Sequence, residues 1–143
     1  MTSNKASWGA LAQSEPVLEN QEVDGGKGPG ISINMSSART DDELGLKLQQ
    51  SQDKLVWTMF GSSWCHHCHE LFPSVYEISK RFQKQEFVVA QMDYMDHAVK
   101  GIKYTPTFRL YKSGRRMDEF VGTDAQRVQD HVWLWSDSNA GSH

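Results

Sequence analysis

The chain has 143 residues, of which 38% are hydrophobic, and a formal charge of −3 at pH 7. This length fits one domain of ordinary size, the charge argues against a nucleic-acid binder, and no apolar run reaches the roughly 18 residues of a membrane span. The first residues also lack the apolar core of a secretory signal, so we expect a cytoplasmic protein, with the plastid as the alternative compartment.

The N-terminal quarter of the chain is poor in large apolar side chains and contains the run GGKGPG at residues 25–30. Such a segment cannot bury enough surface to offset the entropy lost on ordering it. We therefore predict a flexible tail over residues 1–36, a folded domain over residues 37–137 and a disordered C-terminal tail over residues 138–143.

The first predicted helix begins at a capping box. Thr40 is a hydroxyl N-cap, and Glu43 follows it at the third position. The helix is expected to end at about Gln52. Residues 54–60, KLVWTMF, form a nearly continuous apolar run of strand-forming residues, which predicts a buried strand.

A second helix is predicted from the cysteine pair to roughly Lys84, because Leu71, Val75 and Ile78 recur at helical spacing. Pro73 lies inside this pattern and should kink the helix. Residues 86–92, EFVVAQM, predict the next buried strand.

The remaining elements follow at short intervals. Residues 95–100 predict a short helix or turn. Residues 107–112 and 116–121 flank Ser113-Gly114, which is a hairpin signal. Two strands joined by that turn are therefore expected to pair with each other.

A final helix is predicted to open at a second capping box, formed by Thr123 and Gln126. It places Val128, Val132 and Trp135 on one face. Taken in order, the elements predict an α/β domain with a mixed central sheet of about four strands and helices on both faces.

Residues 64–73, WCHHCHELFP, hold both cysteines of the chain and three of its six histidines. Three chemistries share the string C-x-x-C-H. It is the attachment motif of a c-type haem, it can supply half of a zinc site, and it can be a dithiol that alternates between thiol and disulfide.

The haem and zinc interpretations need more than this stretch supplies. A haem requires a large cavity and a second axial ligand, and a mononuclear zinc ion usually takes four ligands from two separated pairs. His66, His67 or His69 would have to complete a zinc site, although adjacent histidines on one helical turn point in different directions. A metal or cluster shared between two chains needs only two thiolates from each chain.

The dithiol interpretation fits the predicted position of the pair between a buried strand and a helix. At a helix N-terminus, free backbone N–H groups and the macrodipole stabilise an anion, which lowers the pKa of a thiol. Cys65 is expected to occupy this place, and Cys68 lies one turn further along, close enough to form a disulfide with it.

Several motifs resemble those of the thioredoxin superfamily, over roughly residues 38–137. Residues 64–68 look like its WCxxC active site, and Pro73 stands eight residues after the first cysteine, as the family's kink proline does. Residues 104–108, YTPTF, resemble the segment that carries its cis-proline, and Gly122 matches a glycine near the same site. The chain looks most like the small thioredoxin-like proteins of plants and algae.

Three positions depart from the thioredoxin pattern. Met59 stands where thioredoxins carry a buried aspartate that relays a proton, Gln91 stands at the position of its partner lysine, and the cysteines enclose His-His instead of Gly-Pro. These differences put the usual proton relay and the strongly reducing potential in question.

Each residue of the site has an expected role. Cys65 is expected to be the attacking nucleophile and Cys68 to resolve the mixed disulfide, and His66 and His67, which lie between the two thiols, are expected to stabilise the thiolate. The resemblance implies that the Thr105–Pro106 bond is cis and faces the dithiol. The expected substrate-binding residues are Trp64, Thr105, Pro106 and Gly122.

The predicted function is therefore thiol–disulfide exchange with protein substrates, by a monomer. No cofactor is expected beyond the redox-active disulfide, and no metal, nucleic acid or membrane partner. A reductase or glutathione would donate the electrons. The alternative is a thioredoxin-fold binding module, or a dimer that holds a metal or iron–sulfur cluster through the two cysteines.

Overall fold

A computed structural model of the protein describes residues 34–136. Within this range the chain forms five strands and three α-helices, with a short 3₁₀ helix at Met92–Tyr94. The strands are β1 (Met35–Ala38), β2 (Val56–Gly61), β3 (Glu86–Gln91), β4 (Thr107–Lys112) and β5 (Arg115–Val121). The helices are α1 (Asp41–Gln50), α2 (His66–Arg81) and α3 (Ala125–Leu134).

The strands form one mixed sheet in the order β1-β3-β2-β4-β5. The first three strands are parallel to one another, whereas β4 is antiparallel to both β2 and β5. The predicted α/β fold and the four predicted strands are confirmed, but the predicted strand count is one too low. The missing strand is β1, whose sequence MSSA is mostly polar and contains no apolar run that would predict a strand.

β1 also lies partly inside the segment predicted to be a tail. Met35 and Ser36 belong to this strand, which pairs with β3 over its whole length. The other residues of the predicted tails lie outside the described range, except residue 34. The flexibility of those tails therefore stays a prediction.

Two hydrophobic clusters cover the two faces of the sheet. Alternate residues of β2 supply both clusters. Trp57 and Met59 lie in the cluster that α2 and α3 cover, and Val56 and Phe60 lie in the cluster that includes Leu44 of α1. This burial on both faces explains why β2 is apolar at almost every position. Both cysteines belong to the first cluster.

The helix caps confirm one capping prediction and correct the other. The Thr40 hydroxyl accepts a hydrogen bond from the Glu43 N–H at 3.1 Å, as predicted. The N-cap of α3, however, is Asp124, whose carboxylate accepts from the Arg127 N–H at 2.9 Å. The prediction of Thr123 was wrong by one residue, because the neighbouring aspartate is at least as good an N-cap as threonine.

The predicted hairpin turn is confirmed. Ser113 and Gly114 both have positive φ angles, 54° and 79°, as a two-residue type I′ turn requires. α2 ends at Arg81, about three residues before the predicted end, and includes Pro73, where the predicted kink stays a prediction. Within residues 34–136, no helix is long and apolar enough to cross a membrane.

Candidate active site

The connection from β2 to α2 places both cysteines at the N-terminus of a helix. Cys65 is the N-cap of α2, and its Sγ accepts a hydrogen bond from the Cys68 N–H at 3.1 Å. The two cysteines form a disulfide, with their Cα atoms 5.3 Å apart. Cys65 retains 7% of its accessible surface and Cys68 retains none, so only the first cysteine reaches the surface.

The segment that precedes β4, which we call the proline loop (residues 104–106), lies against the disulfide. The Thr105–Pro106 peptide bond is cis, as predicted from the sequence. The Thr105 hydroxyl donates a hydrogen bond to Cys65 Sγ at 3.2 Å. Pro106 is buried. The fold therefore brings residues about forty positions apart to the same sulfur.

The segment between β5 and α3, which we call the glycine loop (residues 122–123), lies beside the proline loop. The Gly122 N–H donates to the Pro106 carbonyl at 2.8 Å. A Cβ atom at Gly122 would overlap the ring of Phe108 and press on Leu71. Only glycine fits here without displacing the core under the site.

His67 joins α2 to the glycine loop. Its Nε2 lies 3.2 Å from the Gly122 carbonyl oxygen and 2.9 Å from that of Thr123. Both partners can only accept a hydrogen bond, so Nε2 carries the hydrogen and donates it. The other ring nitrogen, Nδ1, lies 3.7 Å from a carboxylate oxygen of Glu70.

The other two histidines have different neighbours. His66 is exposed, and its Nε2 lies 3.1 Å from Glu70. The Nε2 of His69 lies 3.0 Å from the Ser63 carbonyl oxygen, on the loop before the cysteines. In this disulfide state, Cys65 Sγ receives its hydrogen bonds from Cys68 and Thr105. The predicted stabilisation of the thiolate by His66 and His67 therefore stays a prediction.

Trp64 is the most exposed large hydrophobic residue of the site, at 78%. It lines a pocket of about 420 Å³ beside the disulfide, together with Ser62, Met92, Asp93 and Thr105. Asp93 accepts hydrogen bonds from the Ser63 N–H at 3.2 Å and the Ser63 hydroxyl at 2.7 Å. Ser62, Met92 and Asp93 could not be predicted from the sequence, because no local motif marks them.

Met59, which occupies the position of the missing relay aspartate, is apolar and lies in apolar surroundings. Met59 is 2% exposed and belongs to the same buried cluster as Cys68. A thioether can act only as a weak acceptor, so Met59 supplies no base for the Cys68 thiol.

A metal site is not apparent in the described part of the chain. Between residues 34 and 136, no three side chains of histidine, cysteine, aspartate or glutamate are grouped closely enough to hold an ion.

Comparison with known proteins identifies the family. The sequence profile described as Thioredoxin matches residues 36–132. The chain belongs to the thioredoxin family. It is 32% identical over 118 residues to Thioredoxin-like 3-3 of Oryza sativa subsp. japonica, an alignment that covers 77% of this chain and 92% of that protein.

Two further proteins extend the comparison. Thioredoxin-like 3-3 of Arabidopsis thaliana is 39% identical over 77 residues, which cover 54% of this chain and 61% of that protein. The crystal structure of Schistosoma mansoni thioredoxin superposes with a TM-score of 0.67 at 26% identity, covering 73% of this chain and 99% of that one. The predicted resemblance to plant thioredoxin-like proteins is confirmed.

Family membership and the Cys65–Cys68 pair together define the activity. A thioredoxin with a disulfide between a helix N-cap and the next turn of that helix is a thiol–disulfide oxidoreductase.

Proposed function

We propose that the protein exchanges disulfides with protein substrates, with Cys65 as the attacking thiol and Cys68 as the resolving thiol. The difference in exposure between the two sulfurs supports this assignment best. Cys65 reaches the surface between Trp64 and Thr105, and Cys68 is completely buried. A substrate disulfide can therefore approach Cys65 alone.

The exchange takes place in two steps. The Cys65 thiolate attacks one sulfur of the substrate disulfide, which forms a mixed disulfide and releases the other substrate sulfur as a thiolate. The Cys68 thiolate then attacks Cys65 Sγ and releases the second substrate sulfur. The substrate gains two electrons and two protons, and the protein loses the same number as its dithiol becomes a disulfide.

The helix N-terminus provides the stabilisation that the first step needs. The Cys68 N–H and the Thr105 hydroxyl already point at Cys65 Sγ, and a thiolate is a stronger acceptor than a disulfide sulfur. We propose that His66 and His67, when protonated, add positive charge on the same side. All four contributions favour the anionic form of Cys65.

The proposed substrate-binding surface consists of Trp64, Thr105, Pro106 and Gly122. An extended segment of the substrate would hydrogen-bond to the backbone of Thr105, next to the reactive sulfur. We propose that a reductase or glutathione supplies the electrons, that the protein works as a cytoplasmic monomer, and that it needs no cofactor beyond its own disulfide.

Reduction of insulin by dithiothreitol tests this function. The wild-type protein should accelerate the precipitation of the insulin B chain, and Cys65→Ser should give the uncatalysed rate. Cys68→Ser should also lose turnover, because its mixed disulfide cannot be resolved internally. A wild-type protein that gives no acceleration, or a Cys65→Ser variant that retains it, would overturn the proposal.

Met59 and Gln91 stand in place of the relay aspartate and its partner lysine, which favours one alternative, in which the two cysteines hold a metal or iron–sulfur cluster between two chains. Without the relay aspartate, nothing in the described structure commits Cys68 to proton transfer. Metal analysis and absorbance of protein purified without oxygen separate the two functions. A coloured or zinc-loaded dimer supports the alternative, and a colourless monomer with two titratable thiols supports the oxidoreductase.

A further inference from the structure

The pocket beside Trp64 has a composition that the exchange reaction itself does not require. Its lining residues are Ser62, Trp64, Met92, Asp93 and Thr105, and we call it the Trp64–Asp93 pocket. One of these, Thr105, also contacts Cys65 Sγ at 3.2 Å. The pocket is therefore next to the sulfur that would carry the substrate.

Two kinds of surface line this pocket. Trp64 and Met92 provide apolar walls, and Trp64 exposes most of its indole to solvent. Asp93 is the one ionisable side chain among the lining residues, and it is exposed. An apolar wall that ends at a carboxylate complements a side chain with an aliphatic stem and a cationic end.

The carboxylate of Asp93 has room for another partner. It accepts two hydrogen bonds from Ser63, whereas an ionised carboxylate offers about four lone-pair sites. These bonds also fix the carboxylate relative to the loop that carries Trp64. A cation that reached Asp93 would lie near the Trp64 ring, where a cation–π interaction adds to the ion pair.

We propose that the Trp64–Asp93 pocket binds a lysine or arginine side chain located next to the reactive cysteine of the substrate protein. The inference rests on the proposed function and adds a sequence preference to it. When the substrate cysteine is bonded to Cys65, the adjoining residue lies over Thr105, and its side chain enters the pocket. An exposed ion pair and an exposed cation–π contact together give a preference of about three- to tenfold.

Disulfide-linked dimers of a short peptide with one cysteine provide the test. The residue beside the cysteine is lysine, norleucine or glutamate, and it precedes the cysteine in one series and follows it in another. The measured quantity is the second-order rate constant for reduction by the pre-reduced protein. In at least one series the lysine peptide should react about three- to tenfold faster than the norleucine peptide, and the glutamate peptide should react most slowly.

Three variants assign the preference to Asp93. Asp93→Asn should lower the ratio of the lysine rate to the norleucine rate by about twofold or more, because only the cation–π contact with Trp64 remains, and Asp93→Lys should make the glutamate peptide the fastest. A misfolded variant cannot reverse a preference, so this reversal also controls for folding. Ser63→Ala removes one hydrogen bond to Asp93 but keeps the charge, and it should retain the preference for lysine.

Asp53→Asn is the matched control for net charge. Asp53 is exposed and precedes β2, whereas the cysteines follow the opposite end of that strand. This variant should keep the full preference. Loss of the preference in Asp53→Asn or in Ser63→Ala, as large as in Asp93→Asn, would overturn the proposal.

The peptide reduction rates distinguish a failure of this inference from a failure of the proposed function. If the wild type reduces all three peptides at equal rates in both series, the pocket has no basic preference and the exchange function stands. If the wild type reduces none of them, the exchange function itself is wrong, and the inference is wrong with it.

Discussion

The proline loop and the glycine loop lie side by side at the disulfide but are held there in different ways. The proline loop contacts the sulfur directly, through the Thr105 hydroxyl. The glycine loop contacts an imidazole instead, through the two carbonyl groups that accept from His67. One hydrogen bond, from the Gly122 N–H to the Pro106 carbonyl, joins the two loops.

Of these hydrogen bonds, the one from Thr105 depends on the redox state of the cysteines, and those from His67 do not. The Thr105 bond ends on an atom that changes from disulfide sulfur to thiolate, so its strength changes during the reaction. The His67 bonds end on backbone carbonyls, which do not change. We infer that the glycine loop is a fixed wall of the proposed substrate-binding surface and that the proline loop responds to the sulfur.

A substitution at Gly122, in the glycine loop, should cause the largest loss of stability among the changes predicted here. Gly122→Ala places a methyl group against the Phe108 ring and Leu71, and overpacking of this kind costs about 1–3 kcal/mol. The measurement is urea unfolding of the oxidised protein. Gly45→Ala is the control, because it lies in α1 with open space around it and should raise stability by about 0.5–1 kcal/mol. Equal effects of the two substitutions would contradict the close packing described here.

The histidine pair should shift the redox potential. Positive charge beside Cys65 favours the reduced form, so we expect a potential above the thioredoxin value of about −270 mV. Replacing both His66 and His67 by alanine should lower it by about 30 mV, which corresponds to roughly 1.4 kcal/mol. His97→Ala, at a turn outside the site, should leave it unchanged. A wild-type potential at or below −270 mV in a glutathione titration would rule out the electrostatic role.

Single substitutions separate charge from loop position. His67→Ala removes the donor to the glycine loop, and a hydrogen bond of this kind contributes about 0.5–1.5 kcal/mol. The KM for insulin should therefore rise about two- to tenfold with kcat little changed. His67→Gln keeps an N–H donor and should recover part of the loss. His66→Ala, which breaks only the contact with Glu70, should leave KM near the wild-type value. An equal rise in both alanine variants would show that His67 has no special link to the loop.

The smallest expected loss of stability concerns Asp41, which holds the turn at residues 96–98. Asp41 accepts hydrogen bonds from the N–H groups of His97, Asp96 and Ala98, and these bonds lower its pKa below the ordinary value of 3.8. Because the folded state favours the carboxylate, this stabilisation is complete above the ordinary pKa and is lost as the pH falls through the lowered one.

Asp41→Asn should therefore be less stable than the wild type at pH 7, by less than about 1 kcal/mol because the site is near the surface. The difference should shrink as the pH approaches 3. Urea unfolding at several pH values measures it, with Asp42→Asn, an exposed neighbour, as the control. A difference that stayed constant down to pH 2 would contradict the assignment.

Local sequence patterns predicted most of the fold. The apolar runs marked β2 and β3, the Ser-Gly turn marked the hairpin, and the spacing of Leu71, Val75 and Ile78 marked α2. β1 could not be predicted in this way, because the segment MSSA is polar. Its burial comes from pairing with β3, which lies about fifty residues later.

The site was predictable to the extent that its residues belong to motifs. The cysteine pair and the cis bond before β4 followed from WCxxC and YTPTF. The contacts of His67 and Asp93 could not be predicted in this way. His67 contacts a residue 55 positions away and Asp93 contacts one 30 positions away, and no sequence motif links either pair. Only the folded chain shows that His67 faces two carbonyls.

Trapping of the mixed disulfide tests the central claim, that Cys65 attacks and Cys68 resolves. Each reduced single-cysteine variant is incubated with insulin, quenched with acid and analysed by mass spectrometry without reductant. Cys68→Ser should form an adduct through Cys65, which dithiothreitol releases, and Cys65→Ser should form almost none because Cys68 is buried. Equal adduct formation by the two variants would contradict it.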